Sequence, residues 1–162
     1  MYKAIEIAKY VINYSEEIGN PISNLKLQKL LYYIQAAMLV EKGKKCFDDP
    51  IIAWEFGPVV VSVYQAYREY GRGELPVQEM SREMIFDPVK MKIVFSKPRN
   101  VEIQHRKIIN KVIESYAHVK NPFELVKKTH KEDPWQDTNL NKEIDCDKIR
   151  KYYSKYPEKL YG

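Results

Sequence analysis

The chain is short of the residues that most reaction chemistry requires. Among 162 residues there are three histidines, two cysteines and six glycines. His105, His118 and His130 fall in no Gly-x-Ser-x-Gly elbow and no His-Glu-x-x-His helix. His105 lies on an apolar helical stripe, where a hydrogen-bonded histidine at the edge of a core belongs. His130, Asp133 and a cysteine match no zinc spacing. Gly71-Arg72-Gly73 leads into Glu74 and Pro76 rather than into a helix, which excludes a phosphate-binding loop there. These absences set the expectation of a protein that is not an enzyme and uses no metal or cofactor. Cys46 and Cys146 are far apart, form no Cys-x-x-Cys, and accompany no stretch that reads as a secretory leader, so a reducing, cytoplasmic setting is expected. Apolar runs are short and broken by Lys, Glu or Asn, and none reads as a membrane span. There is no internal repeat, no low-complexity tract and no linker.

What is present describes a globular chain. Hydrophobic content of 44% and charged content of 30% are ordinary. The length suits one domain, residues 1–162, able to bury roughly two-thirds of its unfolded surface. The formal charge is +5. Basic residues gather in 97–111 (Lys97, Arg99, Arg106, Lys107, Lys111) and in 147–162 (Lys148, Arg150, Lys151, Lys155, Lys159). Such clusters either meet nucleic-acid phosphates or form the solvated faces of two helices. Thirteen tyrosines suit both a wet core edge and a protein interface.

Periodicity places the elements. Ala4, Ile5, Ala8, Val11 and Ile12 stripe a first helix over 2–18, stopped by Gly19-Asn20-Pro21. Ser23 or Asn24 caps a second helix to about Glu41, whose face is Leu27, Leu30, Leu31, Ile34 and Met38. Tyr32 and Tyr33 point about 100° apart, so only one is expected at the centre of that face. The other would lie at its border or outside, on a surface shared with Lys26 and Lys29. One of the two is expected to hydrogen-bond the Gly57-Pro58 turn.

Residues 45–47 and 51–54 read as short extended segments around Asp48-Asp49-Pro50. Pro58 reads as the first residue of a third helix striped by Val60, Val63, Tyr64 and Tyr67 and ending at Gly71. A loop over 72–84 follows. Alternating Val89, Met91, Ile93 and Phe95 predict a half-buried strand within 84–95, although Asp87-Pro88 could instead open a helix. Pro98 and Asn100 precede a long helix striped by Val101, His105, Ile108, Ile109, Val112, Ile113 and Tyr116. Asn121-Pro122-Phe123-Glu124 and Asp133-Pro134-Trp135-Gln136 each mark a helix start. A polar connection over 138–144 leads to a last helix from Asp145, with Ile144 and Ile149 as its hydrophobic staple and Pro157 at its end. The fold class expected is α+β and predominantly α-helical, with about six helices and a small β-hairpin or short sheet.

Three segments together carry a resemblance. They are Leu27-Gln28-Lys29-Leu30-Leu31-Tyr32-Tyr33, then Ala53-Trp54-Glu55-Phe56-Gly57-Pro58-Val59 running on to Tyr64, and Thr129-His130-Lys131-Glu132-Asp133-Pro134-Trp135. In this order and spacing the chain resembles the Panacea domain family, the SocA-like antitoxins of bacterial and phage toxin–antitoxin pairs. The resemblance covers most of the chain and is weakest over 72–98. It implies an antitoxin that neutralises a protein toxin, encoded by an adjacent gene, through direct binding. The alternatives are a basic nucleic-acid-binding regulator and a phage protein acting on a host factor. Gln28, Lys29, Tyr32, Tyr33, Trp54, Gly57, Pro58, Tyr64, His130 and Trp135 are the residues this resemblance marks as signature or partner-binding candidates. Trp54 and Trp135 read as core anchors or as interface anchors, with the core favoured for Trp54.

Overall fold

The computed structural model describes residues 1–80, 82, 84–95 and 100–162. Lys97, Pro98 and Arg99, part of the basic 97–111 segment and of the helix start expected there, lie outside the described residues. Among those described, the order is α1 (Ala4–Glu17), α2 (Asn24–Lys42), β1 (Ile51–Trp54), β2 (Gly57–Val60), α3 (Val61–Tyr67), β3 (Met84–Asp87), β4 (Lys92–Phe95), α4 (Ile103–Ser115), α5 (Phe123–His130), α6 (Asp133–Gln136) and α7 (Cys146–Lys155). Short 3₁₀ turns follow α3 and α7. The fold is α+β and mainly helical. The β content is two antiparallel two-stranded sheets, β1–β2 and β3–β4.

The helices start and stop where local chemistry dictates. Ser23 Oγ accepts the Lys26 amide at the head of α2, and left-handed Gly43 ends it. Asn121 Oδ1 accepts the Phe123 amide beside helical Pro122, which brings α5 in at the expected place. Asp145 caps α7, and Ile144 and Ile149 are both buried across that cap.

Helix α2 is the axis of the molecule, and α1, α3, α4, α5, α7 and β2 all pack against it. Its predicted stripe is buried, and so are its other faces, including Lys26, Gln28, Lys29 and Gln35. Amphipathicity is therefore a poor guide to this helix. Its polar side chains satisfy backbone groups of the loops that surround it. Gln35 shows the pattern: its Nε2 donates to Phe47 O at 2.8 Å, and its Oε1 accepts from Cys46 N at 2.7 Å and Phe47 N at 3.3 Å. Those hydrogen bonds, with a bridge from Tyr2 to Phe47, hold 45–47 as a bound loop, so of the two short extended segments expected only 51–54 is a strand.

The partner of β1 is instead β2, with Ile51 opposite Val60 and Trp54 opposite Gly57. Pro58 thus lies inside a strand, and α3 begins three residues later than expected. A proline is tolerated in such a strand when its position faces an edge and no ladder donor is needed. The far edge of β1 is covered by the 138–144 connection. Asn141 N donates to Ala53 O at 2.7 Å, Ala53 N to Lys142 O at 2.9 Å, and Ile144 N to Ile51 O at 2.8 Å.

Candidate partner-binding surface

The three signature segments meet around β1–β2. In this register Pro58 and Val60 turn their backbone groups away from β1, toward α2. Proline has no N–H to leave bare, and its carbonyl accepts Lys29 Nζ at 3.1 Å. The Val60 amide donates to Gln28 Oε1 at 2.9 Å, and Gln28 Nε2 donates in turn to Asn24 Oδ1 at 2.9 Å. Two side chains of one helix thus seal the open edge of β2. Gly57, at φ +95°, closes the two-residue turn of the hairpin. A β-carbon there would lie 2.7 Å from Thr129 Oγ1 and 2.9 Å from Lys29 Cε. Only glycine fits both the backbone angle and the space.

The third segment locks on from the other side. Glu132, buried, accepts the Tyr33 hydroxyl at 2.5 Å and Lys128 Nζ at 3.1 Å. Trp135 Nε1 donates to Trp54 O at 3.0 Å, and the Trp135 and His130 rings stack at 4.0 Å. Trp54 meets Tyr64 edge-on at 5.1 Å.

Tyr32 and Tyr33 are both fully buried, which corrects the expectation that one would stand at the border or outside. The reason is the all-round burial of α2. Tyr33 stacks on Tyr116 at 4.8 Å, and the Tyr153 hydroxyl meets that of Tyr32 at 3.3 Å. Neither tyrosine bonds the Gly57-Pro58 turn; Lys29 does. Burial pulls the Lys29 pKa down to about 7. Burial likewise pushes the Cys46 thiol up to about 12.

The ten signature candidates therefore divide into a buried knot (Gln28, Lys29, Tyr32, Tyr33, Gly57 and Pro58) and a half-buried rim (Trp54, Tyr64, His130 and Trp135). The C-terminal basic residues are partly committed within the chain. Lys148 Nζ reaches Asp137 O at 3.4 Å, Lys159 Nζ reaches Tyr152 Oη at 3.1 Å, and Lys155 lies over the Tyr156 ring. Lys111 sits between Glu41 and the Tyr161 ring.

The most exposed apolar surface lies elsewhere, on β3–β4. The expected single strand is a hairpin, with Met84 opposite Phe95 and Phe86 opposite Ile93. Asp87 Oδ1 accepts the amides of Val89 and Lys90, and Met91 takes a left-handed φ of 51°, so the turn falls in the middle of the alternating run. Met84, Phe86, Ile93 and Phe95 share one face and are exposed by 71%, 60%, 68% and 67%, not half-buried. Among the described residues, the only element on which either strand packs extensively is the other strand. Phe56 and Phe123 form a smaller exposed pair, edge-on at 5.9 Å, beside the signature rim. Sequence reasoning missed the hairpin face; the available signal was Asp87-Pro88 splitting the apolar alternation.

No helix among the described residues is long and apolar enough to cross a membrane. The family described as "Antitoxin SocA-like, Panacea domain" matches residues 27–136, a span that takes in the signature knot, its rim and the β3–β4 hairpin. Antitoxin SocA of Caulobacter vibrioides is 31% identical over 97 residues, which are 60% of this chain and 50% of that protein. The chain thus spans about half the length of the curated relative it matches. No solved structure matches. The chain belongs to the SocA-like, Panacea-domain antitoxin family.

Proposed function

We propose that this protein is the antitoxin of a toxin–antitoxin pair and that it neutralises a protein toxin by stoichiometric contact, without chemistry of its own. The observation that carries the reading is the face formed by Met84, Phe86, Ile93 and Phe95. An isolated two-stranded hairpin is at best marginal in water, and an apolar face gains stability only once it is covered. Large exposed apolar patches mark interaction sites, and aromatic anchors such as Phe86 and Phe95 suit the centre of an interface. A stable complex needs roughly 1,200–2,000 Å² of total buried surface, so the hairpin would be the centre of a larger contact. The family membership supports an antitoxin role, and the toxin would be the product of a neighbouring gene in the same cytoplasm.

The test is recovery of the tagged protein from cells that carry the gene with its native flanking genes. One neighbouring product should appear at near-equal stoichiometry, arrest growth when expressed alone, and lose that effect on co-expression. Recovery of nucleic acid instead, released steeply as salt rises, would overturn the reading in favour of a regulator.

A further inference from the structure

An open cavity of about 610 Å³ lies between the α1–α2 turn, the 71–74 turn after α3 and the loop joining α4 to α5. It shares no lining residue with the β3–β4 hairpin. Its apolar lining comes from Ile22 and Leu25 at the α1–α2 turn and from Pro122 and Phe123 at the end of the α4–α5 loop. The remainder carries three cationic side chains, Lys26, Arg72 and Lys120, against the single carboxylate of Glu74 among the described lining residues.

Lys26 is the informative member. It is only 5% exposed, yet its ammonium donates to one neutral acceptor, Val119 O at 2.7 Å, and forms no ion pair among the described residues. A buried ammonium has three donors and requires compensation for its lost hydration. Lys120 adds to the positive potential, and its Nζ is held at the cavity by Asn20 Oδ1 at 2.9 Å and Ala117 O at 3.2 Å. Burial and this neighbour draw the Lys26 pKa down to about 8. The first turn of α2 contributes a further positive end.

We infer that this cavity binds the carboxylate of a ligand whose short aliphatic or aromatic body lies against Ile22, Leu25, Pro122 and Phe123. The Lys26 and Lys120 ammonium groups and the Arg72 guanidinium receive the anion. The apolar lining gives the body its place, and a volume of this size holds a molecule of a few tens of atoms at most. Such a carboxylate can belong to a free organic acid or to the end of a polypeptide.

The experiment is a calorimetric and NMR titration of the full chain with acetyl-Leu-Phe, with its C-terminal amide, and with 3-phenylpropanoate. The free-acid dipeptide or 3-phenylpropanoate should bind and shift the amides of Ser23, Lys120 and Phe123, with the dipeptide amide at least about tenfold weaker than its free acid. Tighter binding of the dipeptide supports a chain terminus as the source, and tighter binding of 3-phenylpropanoate a free acid; both uphold carboxylate recognition. Lys26→Met should abolish binding. Because that change also removes the partner of Val119 O, the surface double variant Arg72→Gln/Lys120→Gln is the second probe. It should keep the fold and weaken binding about tenfold. Equal binding of the acid and amide dipeptides, shifts confined to other regions, or no binding of either acid would overturn the assignment.

Discussion

Gly57→Ala is expected to lower stability by about 3 kcal/mol, the sum of a strained left-handed backbone and an overpacked contact. For a chain of this length that is a fall of roughly 10 °C in Tm. The new methyl would meet Thr129 Oγ1 and Lys29 Cε, and Lys29 cannot withdraw without releasing the Pro58 carbonyl. The loss therefore spreads to the edge of β2. Gly19→Ala is the control: its φ of +72° is similarly positive, but nothing lies within 4 Å of the added atom. It should cost only the backbone share, about 1 kcal/mol. Thermal unfolding of the two variants separates the contributions, and equal losses would remove the close-packing argument.

The second large effect is in the pH dependence of stability. The ordinary lysine value is 10.5, and in the folded chain Lys29 is drawn down to about 7, chiefly by burial. Between these values the unfolded chain holds a proton that the folded chain has released, so stability rises with pH across that window. Below about pH 7 both forms are charged, and the cost of burying the ammonium is felt in full. Lys26 acts in the same direction from about 8 upward. Cys46, pushed by burial from its ordinary 9 to about 12, opposes the trend from about 9, and the buried tyrosines, Tyr33 and Tyr153 among them, have raised pKa values and oppose it above about 10. Tm should therefore climb from pH 7 to about 9, by an amount corresponding to a few kcal/mol. Lys29→Met keeps most of the volume and removes the charge, so its profile should be flatter, with a residual slope from Lys26. A wild-type profile that is level or falling over that range would show that Lys29 is charged and compensated in the fold.

Much of the helical framework is legible in the sequence because its signals are local. Ser23, Asn121-Pro122, Asp133-Pro134 and Asp145 each act within a turn of the helix they start, and the stripe from Val101 to Tyr116 requires only one buried side. Reading fails where a residue's role is set by a distant partner. Pro58 has the right φ for a first helical residue, and only the pairing of Gly57 with Trp54 makes it a strand residue. Tyr32 and Tyr33 diverge by 100°, and only the packing of other elements all around α2 buries both. Gln28 and Lys29 look like the solvated side of a helix until Val60 N and Pro58 O are placed against them. The 84–95 segment shows the reverse failure: its alternation is real, but alternation alone does not tell whether the apolar side meets this chain or another.

The signature that identifies the family is thus mostly internal architecture, while the most exposed apolar face lies on a hairpin the signature does not include. That division is the central claim. It is tested most directly by measuring capture of the neighbouring-gene partner by the wild type and by a Phe86→Lys/Ile93→Glu double variant, whose opposite charges face each other across the strand pair, with Tm recorded for both. Both positions are on the exposed face of β3–β4, so the account predicts an unchanged Tm and a loss of partner capture of at least about 100-fold, as expected when charges replace central apolar anchors. Full capture by the double variant, at an unchanged Tm, would contradict it and move the interface to the signature rim at Trp54 and the Phe56–Phe123 pair beside it.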